Sequence, residues 1–205
     1  LLITRSDQYH ALDLITGNER WTIATPGSNT PQTAGGIVAV GHEFVLYGNG
    51  AIEAIDATTR SVIWQHTDLS SVSNVMASPD GSLVYALVLD NIDGGTPHQS
   101  LVAFDAADSA VRWTFQPSSQ ADFTWPGAPS LHFANGLLFI TACFPSSASA
   151  CSTQALYGVN GKSGTVSWEF DASQVSQVQF SQDGSVIVLQ ASRSAWEKLR
   201  AHFQG

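Results

Sequence analysis

Few residues in this sequence combine a reactive side chain with a spacing that supports chemistry. Asp90 and Asp93 lie in the segment LDNIDGG, which could begin a calcium-binding loop. Calcium takes six or more oxygen ligands, usually from acids at alternate positions. Two acids three residues apart are too few, so we interpret this segment as a solvated loop.

Other sequence patterns typical of catalytic and metal-binding sites are also missing. The six histidines have no spacing typical of a zinc site. The sequence contains no G-x-S-x-G, no P-loop and no complete G-x-G-x-x-G pattern. We therefore predict that the chain is not an enzyme, has no catalytic residue and binds no metal or cofactor.

Cys143 and Cys151 enclose the short segment CFPSSASAC and offer a different chemistry. A disulfide across this segment would indicate an oxidising, extracytoplasmic compartment. The alternative is two free thiols in a long loop. A redox-active pair is not expected, because the spacing is not C-x-x-C and no helix start adjoins it. We predict the disulfide.

The charge of the chain excludes one class of partner. Its 205 residues carry a net charge of −9, and its only lysines are Lys162 and Lys198. Nucleic acid needs clustered Lys and Arg, so it is not expected as a partner. No run approaches the roughly 20 apolar residues of a membrane-spanning helix. The chain begins with LLIT, without an initiator Met or a visible signal peptide, and we expect a truncated or processed product.

A repeated pair of residues indicates the architecture that must position any site. An acid or its amide precedes a tryptophan by eight positions in four places: Asp13 and Trp21, Asp56 and Trp64, Asp105 and Trp113, and Asn160 and Trp168. Their first members lie 43, 49 and 55 residues apart. This period is typical of four-stranded propeller blades. Short runs rich in Val, Ile and aromatics recur in each unit, bounded by Gly, Asn or Asp, as expected of strands.

We interpret these pairs as structural. An Asp at a strand end can accept backbone N–H groups of the turn D-x-x-T-G. A Trp in the outermost strand can bury its ring between neighbouring blades and donate its indole N–H to a carbonyl. A functional role would require the pairs to converge on one pocket, whereas repeats related by rotation spread them around a ring.

The predicted fold is all-β: a single β-propeller domain over 1–205, or a propeller segment, of four-stranded antiparallel blades. About four to five blades are expected from the period, at 1–23 (partial), 24–66, 67–115, 116–170 and 171–205 (partial). This count leaves three closures open. The chain is part of a larger propeller, or it closes by pairing its ends, or two copies complete one ring as a homodimer and so cover the exposed blade edges.

The segment ALDLITGNERW carries a family resemblance, through Ala11, Asp13, Thr16, Gly17 and Trp21. It resembles the tryptophan-docking repeat of pyrroloquinoline-quinone-like β-propellers, and decaying copies cover nearly the whole chain. That family includes quinoprotein alcohol dehydrogenases and the outer-membrane barrel-assembly lipoprotein propeller. Resemblance to the dehydrogenases would imply eight blades, an adjacent pair of cysteines and a calcium site. This sequence matches none of these three features. The resemblance therefore favours the lipoprotein and implies protein binding.

Loops remain as the place for a binding site. Two insertions, 90–99 and 145–154, lie between the second and third predicted strands of their units, and the connection 116–129 joins two units. These three segments are expected on one rim of the propeller, where exposed aromatics are candidate binding anchors. The candidate binding residues are Asp90, Asp93, His98, Phe123 and Trp125. Alternatively, the two aromatics plug a blade junction.

The function expected from the sequence is a non-enzymatic propeller scaffold for protein–protein binding, in an extracytoplasmic compartment. A first alternative is a propeller that binds carbohydrate or another small ligand through the aromatic-bearing rim. A second alternative is a degenerate fragment of a quinone-dependent dehydrogenase. Fold by itself does not decide among these, because function resides in a site.

Overall fold

The computed structural model contains strands and turns but no helix in its described part. The structure describes residues 2–5, 8–24, 26, 35–48, 50–67, 69–90, 98–117, 131–147, 150–171, 175–181 and 187–191. The chain divides into two compact units, Leu1–Phe115 and Gln116–Gly205. Each unit is a series of antiparallel sheets formed by strands that are consecutive in the chain.

The first unit holds three sheets, which we call blades 1, 2 and 3. Blade 1 has three strands in the described residues: β1 Leu2–Arg5, β2 Gln8–Leu12 and β3 Glu19–Ala24. Blade 2 has four: β4 Gly36–Val40, β5 Glu43–Gly48, β6 Ala51–Asp56 and β7 Val62–His66. Blade 3 has four: β8 Ser71–Ala77, β9 Leu83–Asp90, β10 His98–Asp105 and β11 Val111–Phe115.

Within its described residues, the second unit holds one four-stranded sheet, blade 4, and one two-stranded sheet. Blade 4 consists of β12 His132–Ala134, β13 Leu137–Ser147, β14 Ala150–Asn160 and β15 Val166–Asp171. The two-stranded sheet consists of β16 Val175–Phe180 and β17 Ile187–Ala191. These sheets confirm the predicted all-β class and the four-stranded antiparallel blades.

Local sequence explains the tight turns. In blade 4, Asn135 and Gly136 join β12 to β13 with φ of 50° and 81°. Two consecutive positive φ values are what a two-residue hairpin turn needs, and Asn followed by Gly is the pair that adopts them most readily. In blade 3, Gly81 has φ of 70° and donates its N–H to the Ser78 carbonyl in the turn before β9.

The second predicted insertion, 145–154, differs from a loop. Strand β13 continues to Ser147 and β14 begins at Ala150, so most of this segment extends the β13–β14 hairpin. The register shifts at Pro145, which pairs with Cys151. Proline lacks the N–H that a ladder requires, and such irregularities let a strand accommodate it. The segment was predicted as a loop because its Ser, Ala and Pro residues have low strand propensity.

The core of the first unit lies between facing blades. One apolar cluster joins blades 2 and 3, and its members are mostly small or β-branched: Val45, Ile52, Ala54, Val84, Ala86 and Val88, with the rings of Trp64 and Phe104. A second cluster joins blades 1 and 2 through the buried side chains of Tyr9, Leu46 and Ile55. Fully burying one such aliphatic side chain is worth about 1.5–3 kcal/mol, so these two seams hold the first unit together.

Candidate functional site

The turn between the last two strands of each blade is capped by the acid or amide of the repeat. The Asp13 carboxylate accepts the N–H groups of Ile15 and Thr16 at 2.9 and 2.8 Å. In blade 2, Asp56 accepts the N–H groups of Thr58 and Thr59 at 2.9 and 2.6 Å. These bonds satisfy turn donors that would otherwise lack partners.

The same cap occurs in the other two blades. Asp105 accepts the N–H of Ala107 at 2.9 Å, and Asn160 accepts those of Lys162 and Ser163 at 3.0 and 3.1 Å. The amide of Asn160 supplies the same acceptor oxygen as a carboxylate, so the turn does not require a charge. These residues serve the fold at separate turns rather than meeting in one pocket.

Two of the capping acids also form ion pairs with an arginine seven positions later. Arg20 and Arg112 donate from Nε to Asp13 and Asp105, both at 3.0 Å. The backbone N–H of Thr16 and the Arg20 guanidinium hold the pKa of Asp13 well below its usual range. Sequence reasoning missed these arginines because the pattern is incomplete: Ile63 occupies the matching position in blade 2.

A small residue lies opposite each repeat tryptophan in the strand ladder. The register pairs Ala11 with Trp21, Ala54 with Trp64, Ala103 with Trp113 and Gly158 with Trp168. A Cβ added at Gly158 would lie 2.5 Å from the Trp168 ring. The indole therefore lies over its cross-strand neighbour, and this explains why the repeat begins with Ala two positions before the acid.

The seam between blades 2 and 3 is closed by Trp64. Its indole N–H donates to the Ala106 carbonyl of blade 3 at 2.6 Å, and its ring stacks on Phe104 with centroids 6.5 Å apart. The side chain is buried, with 7% of its surface exposed. Both the ring and its polar N–H are thus satisfied inside the first unit.

The seam between blades 1 and 2 is open by comparison. Trp21 tilts against Phe44 with centroids 6.3 Å apart, and its indole N–H makes no hydrogen bond in the described part of the chain. A cavity of about 590 Å³ lies beside the two rings. We call it the seam cavity; its apolar walls are Ala11, Leu12, Leu14, Ile15, Trp21, Phe44 and Ala57. The Asp13–Arg20 ion pair lies at its edge.

The position of one aromatic ring explains the difference between the seams. Phe44 pairs with Ile55 in blade 2, whereas Val84 pairs with Phe104 in blade 3. The aromatic residue is thus on the second strand of blade 2 but on the third strand of blade 3. The tryptophan of the preceding blade therefore contacts a ring on a different strand in each seam. Trp64 stacks with an interplanar angle of 28°, whereas Trp21 meets its partner at 52°.

Two large apolar side chains project at the rim of the seam cavity. Leu14 is 81% exposed and Ile15 is 95% exposed, the highest values among large apolar residues of the described chain. They occupy the two turn positions after Asp13. Matching positions elsewhere hold smaller or polar residues: Ala57 and Thr58, Ala106 and Ala107, and Gly161 and Lys162. Blade 1 alone among these four turns presents large apolar groups to solvent.

Two polar groups of the first unit are buried. The Tyr9 hydroxyl donates towards the Gly36 and Tyr47 carbonyls at 2.7 and 3.2 Å, and burial raises the pKa of Tyr9 to about 12. Glu53 is only 8% exposed, and burial raises the pKa of its carboxyl. A buried carboxyl with no ion-pair partner favours its neutral form.

Two acids, Glu43 and Asp56, lie together at the end of blade 2 that carries the Asp56 turn. Glu43 pairs with Asp56 across the ladder, and its Oε2 is buried without a partner. Burial, and then the charge of Asp56, raise the pKa of the Glu43 carboxyl. Across the described residues, no group of three or more His, Cys, Asp or Glu side chains is placed to hold a metal ion.

The predicted loop rim falls mostly outside the described residues. Asp93, Phe123 and Trp125 lie there, as do the side chains of Asp90 and His98. The backbones of Asp90 and His98 pair across β9 and β10, so these two candidates share one end of blade 3. The rim therefore stays a prediction.

The predicted disulfide has the same status. The backbones of Cys143 and Cys151 lie on the paired strands β13 and β14, while their side chains fall outside the described residues. As for the membrane, none of the described residues form a helix of the length and hydropathy that would be required to cross a bilayer.

Four-stranded antiparallel blades, capped turns and docked tryptophans define a β-propeller of the pyrroloquinoline-quinone-like class. The chain belongs to the family described as outer membrane protein assembly factor BamB, whose matches cover residues 1–96 and 48–197. This confirms the resemblance drawn from the repeat. No curated protein matches the sequence significantly.

Solved structures with a similar fold come from proteins of different kinds. Dihydro-heme d1 dehydrogenase NirN matches with a TM-score of 0.64 and 14% identity over 94% of this chain. The Cps50 (Swd1) propeller of Myceliophteria thermophila matches with 0.63 and 9% over 93%. A europium-containing methanol dehydrogenase matches with 0.61 and 12% over 93%. This chain spans 39%, 57% and 45% of those chains. Identities this low show the propeller fold alone.

Proposed function

We propose that this chain is a non-enzymatic β-propeller scaffold that binds a protein partner in an extracytoplasmic compartment. The observation that carries the proposal is membership, over most of the chain, in a family described as outer membrane protein assembly factor. Assembly of a protein requires contact with protein surfaces. The partner is therefore a polypeptide, and the site is a surface of the propeller.

The structural role of the repeat aspartates supports a non-enzymatic function. Asp13, Asp56 and Asp105 accept turn N–H groups, and two of them also bind arginine. Hydrogen bonds from the turn lower the pKa of Asp56. Such carboxylates are ionised, partly buried structural groups, whereas general acids and bases need pKa values near the working pH. The repeat thus accounts for these acids without any catalytic task.

The extracytoplasmic location rests on the same family membership, together with the predicted Cys143–Cys151 disulfide, which requires an oxidising compartment. The homodimer predicted from the blade count has no support in the described structure, and it forms no part of the proposal.

A second candidate is the binding of a carbohydrate or another small ligand. The seam cavity favours it, since pockets of about 300–1,000 Å³ with aromatic walls suit small ligands, and this one measures about 590 Å³ beside Trp21 and Phe44. A small ligand would fill the cavity but would leave the projecting Leu14 and Ile15 in water. We therefore rank protein binding first.

The experiment is affinity capture with the purified chain, using envelope extract from its source organism. A protein that co-purifies in a fixed ratio, and then binds the chain when itself purified, supports the scaffold. Glycan-array binding without any protein partner overturns it in favour of the second candidate. Pyrroloquinoline quinone and Ca²⁺ together producing an absorbing complex that reduces a dye would overturn the non-enzymatic assignment.

A further inference from the structure

We propose that the seam cavity and its rim bind an extended, apolar segment of a partner protein. One large apolar side chain of that segment enters the cavity, and its backbone crosses Leu14 and Ile15. This inference rests on the proposed function, since it names where on the scaffold the polypeptide binds. It is carried by four features of the first unit.

The first feature is an indole donor without an acceptor. In the closed seam, the Trp64 N–H donates to the backbone carbonyl of Ala106. In the open seam, Trp21 has the matching ring but makes no such bond, and Ala57, the counterpart of Ala106, lines the cavity. Indole N–H groups usually find an acceptor when covered. A bound polypeptide brings backbone carbonyls, the acceptor type that the closed seam uses.

The second feature is the shape of the rim. Leu14 and Ile15 are 81% and 95% exposed, so they project beyond the cavity mouth. A ligand confined to the cavity would touch these side chains only on the inner side and leave most of their surface in water, whereas a chain lying across the mouth covers both and removes that apolar surface from solvent. The occupant is therefore long enough to extend over the turn.

The third feature is the chemistry of the walls. Seven of the nine lining residues are apolar, and an unpaired charge would be costly among them. The side chain that enters is therefore uncharged. At the edge, Arg20 is 67% exposed while it pairs with Asp13, and a guanidinium has five N–H donors. Its remaining donors face solvent and can bind carbonyl oxygens of the crossing backbone.

The fourth feature is that the rim departs from the repeat. The matching turn of blade 2 carries Ala57 and Thr58 around the same Asp-capped geometry. The turn itself therefore needs no large apolar residue. Leu14 and Ile15 are exposed at positions where the fold accepts Ala and Thr, so their hydrophobic surface serves something other than folding.

This surface differs from the loop rim predicted from the sequence. The seam cavity opens beside the turn between the third and fourth strand positions of blade 1. The insertion 91–97 joins the second and third strands of blade 3. In an antiparallel blade these two connections leave opposite ends of the sheet. The two candidate surfaces can therefore be separated by mutation.

The experiment uses a random linear peptide library displayed on phage, selected on the full chain. Enriched peptides are synthesised and titrated against wild type, Leu14→Asp, Ile15→Asp and the matched control Thr58→Asp, which places the same charge at the corresponding exposed turn. We expect enrichment of peptides with a large apolar residue. Binding should weaken about tenfold or more in the Leu14 and Ile15 variants and stay within about twofold in the control.

Trp21→Phe supplies a second, independent readout. It keeps an aromatic wall and removes only the indole N–H, so we expect peptide binding to weaken about threefold to tenfold, as for one hydrogen bond. In the NMR spectrum, the indole resonance that disappears in Trp21→Phe should move downfield when peptide is added to wild type. Unchanged thermal unfolding of each variant shows that the effects are not due to misfolding.

The proposal is overturned if no peptide is enriched, if Ile15→Asp and Thr58→Asp bind alike, or if the Trp21 resonance does not move. These outcomes leave the proposed scaffold function intact, because the screen does not use the natural partner. Conversely, if the envelope capture fails and the peptide screen succeeds, the proposed function is overturned, while the seam cavity is still supported as a peptide-binding site.

Discussion

The indole N–H of Trp64 donates to the backbone carbonyl of Ala106 at 2.6 Å, across the seam between blades 2 and 3. The two residues are 42 positions apart in the chain, about one repeat. One hydrogen bond thus links the outer strand of a blade to the capped turn of the next. The matching tryptophan of blade 1 makes no such bond, and the contrast between the two seams leads to the first prediction.

Trp64→Phe should destabilise the chain by about 2 kcal/mol, because it removes the hydrogen bond and leaves a buried carbonyl unsatisfied. Trp21→Phe should have less than half of that effect, since its N–H has no partner to lose. Urea unfolding followed by circular dichroism measures both. Equal losses for the two variants would show that the hydrogen bond does not contribute to the seam.

Asp105→Asn keeps the turn acceptor and removes the ion pair with Arg112, so we expect a loss of about 0.5 kcal/mol that shrinks in salt. Asp56→Asn is the matched control, because no arginine follows Asp56 at that spacing. Its stability should change less, and that change should depend less on salt. The free energy of unfolding at low and high NaCl concentration decides between them.

The two aspartates also predict a response to acid. Arg112 and turn N–H groups lower the pKa of Asp105, and turn N–H groups lower that of Asp56. Their contribution is complete above the unfolded pKa of about 3.9 and is lost as pH falls through the folded pKa. Wild type should therefore lose stability in acid more steeply than a variant in which both are Asn. Parallel curves would contradict this origin.

Glu53→Gln should have the opposite pH dependence. Burial raises the pKa of Glu53 above its ordinary value of 4.5, so the folded state holds its proton more tightly. The associated stability is present below the unfolded pKa and is lost as pH rises through the folded pKa. The variant should match wild type near about pH 4 and be more stable near about pH 7. Identical midpoints at both pH values would argue against a buried carboxyl.

Gly158→Ala should destabilise blade 4 by about 1–3 kcal/mol, because the added Cβ overlaps the Trp168 ring. Adding Trp168→Phe should relieve part of that overlap. The double variant should then lose less stability than the sum of the two single variants. Additive losses in denaturant unfolding would show that the ring moves aside freely.

The Cys143–Cys151 disulfide is testable by alkylation. The unfolded, unreduced chain should take up no iodoacetamide, and the reduced chain should take up two equivalents, as measured by mass spectrometry. Reduction should lower stability by about 2–3 kcal/mol for a loop of this length. Two alkylated thiols before reduction would show that the disulfide is absent.

The strands and capped turns of blade 2 were predictable from sequence because their causes are local. Strands β4 to β7 coincide within one residue with the short runs GGIVAV, EFVLYG, AIEAID and SVIWQH, which have the composition expected of strands in each unit. Alternation of side chains and the chemistry of turn residues act over a few positions. Only the continuation of the β13–β14 hairpin into 145–154 was missed, because pairing with a partner strand overrode the weak propensity of this Ser-rich segment.

The seam cavity could not be predicted in this way. Asp13 and Trp21 fit the repeat as well as Asp56 and Trp64 do, and the motif gives no sign that one seam is closed and the other open. The exposed Leu14 and Ile15 were visible as a departure from Ala and Thr. However, their meaning required knowing that they flank the Trp21 indole, which makes no hydrogen bond within the described residues.

The sequence by itself determined the blade order, the capped turns and which tryptophans face a seam, since each depends on residues close together in the chain. Only the tertiary structure decided which seam is filled. That outcome depends on where the aromatic ring lies in each cross-strand pair. In blade 2 the ring is on the second strand, in Phe44 opposite Ile55, whereas in blade 3 it is on the third strand, in Phe104 opposite Val84. The packing of a seam is set by side chains from two blades, which are about one repeat apart in the chain. A pattern within one repeat therefore does not show whether the two surfaces fit.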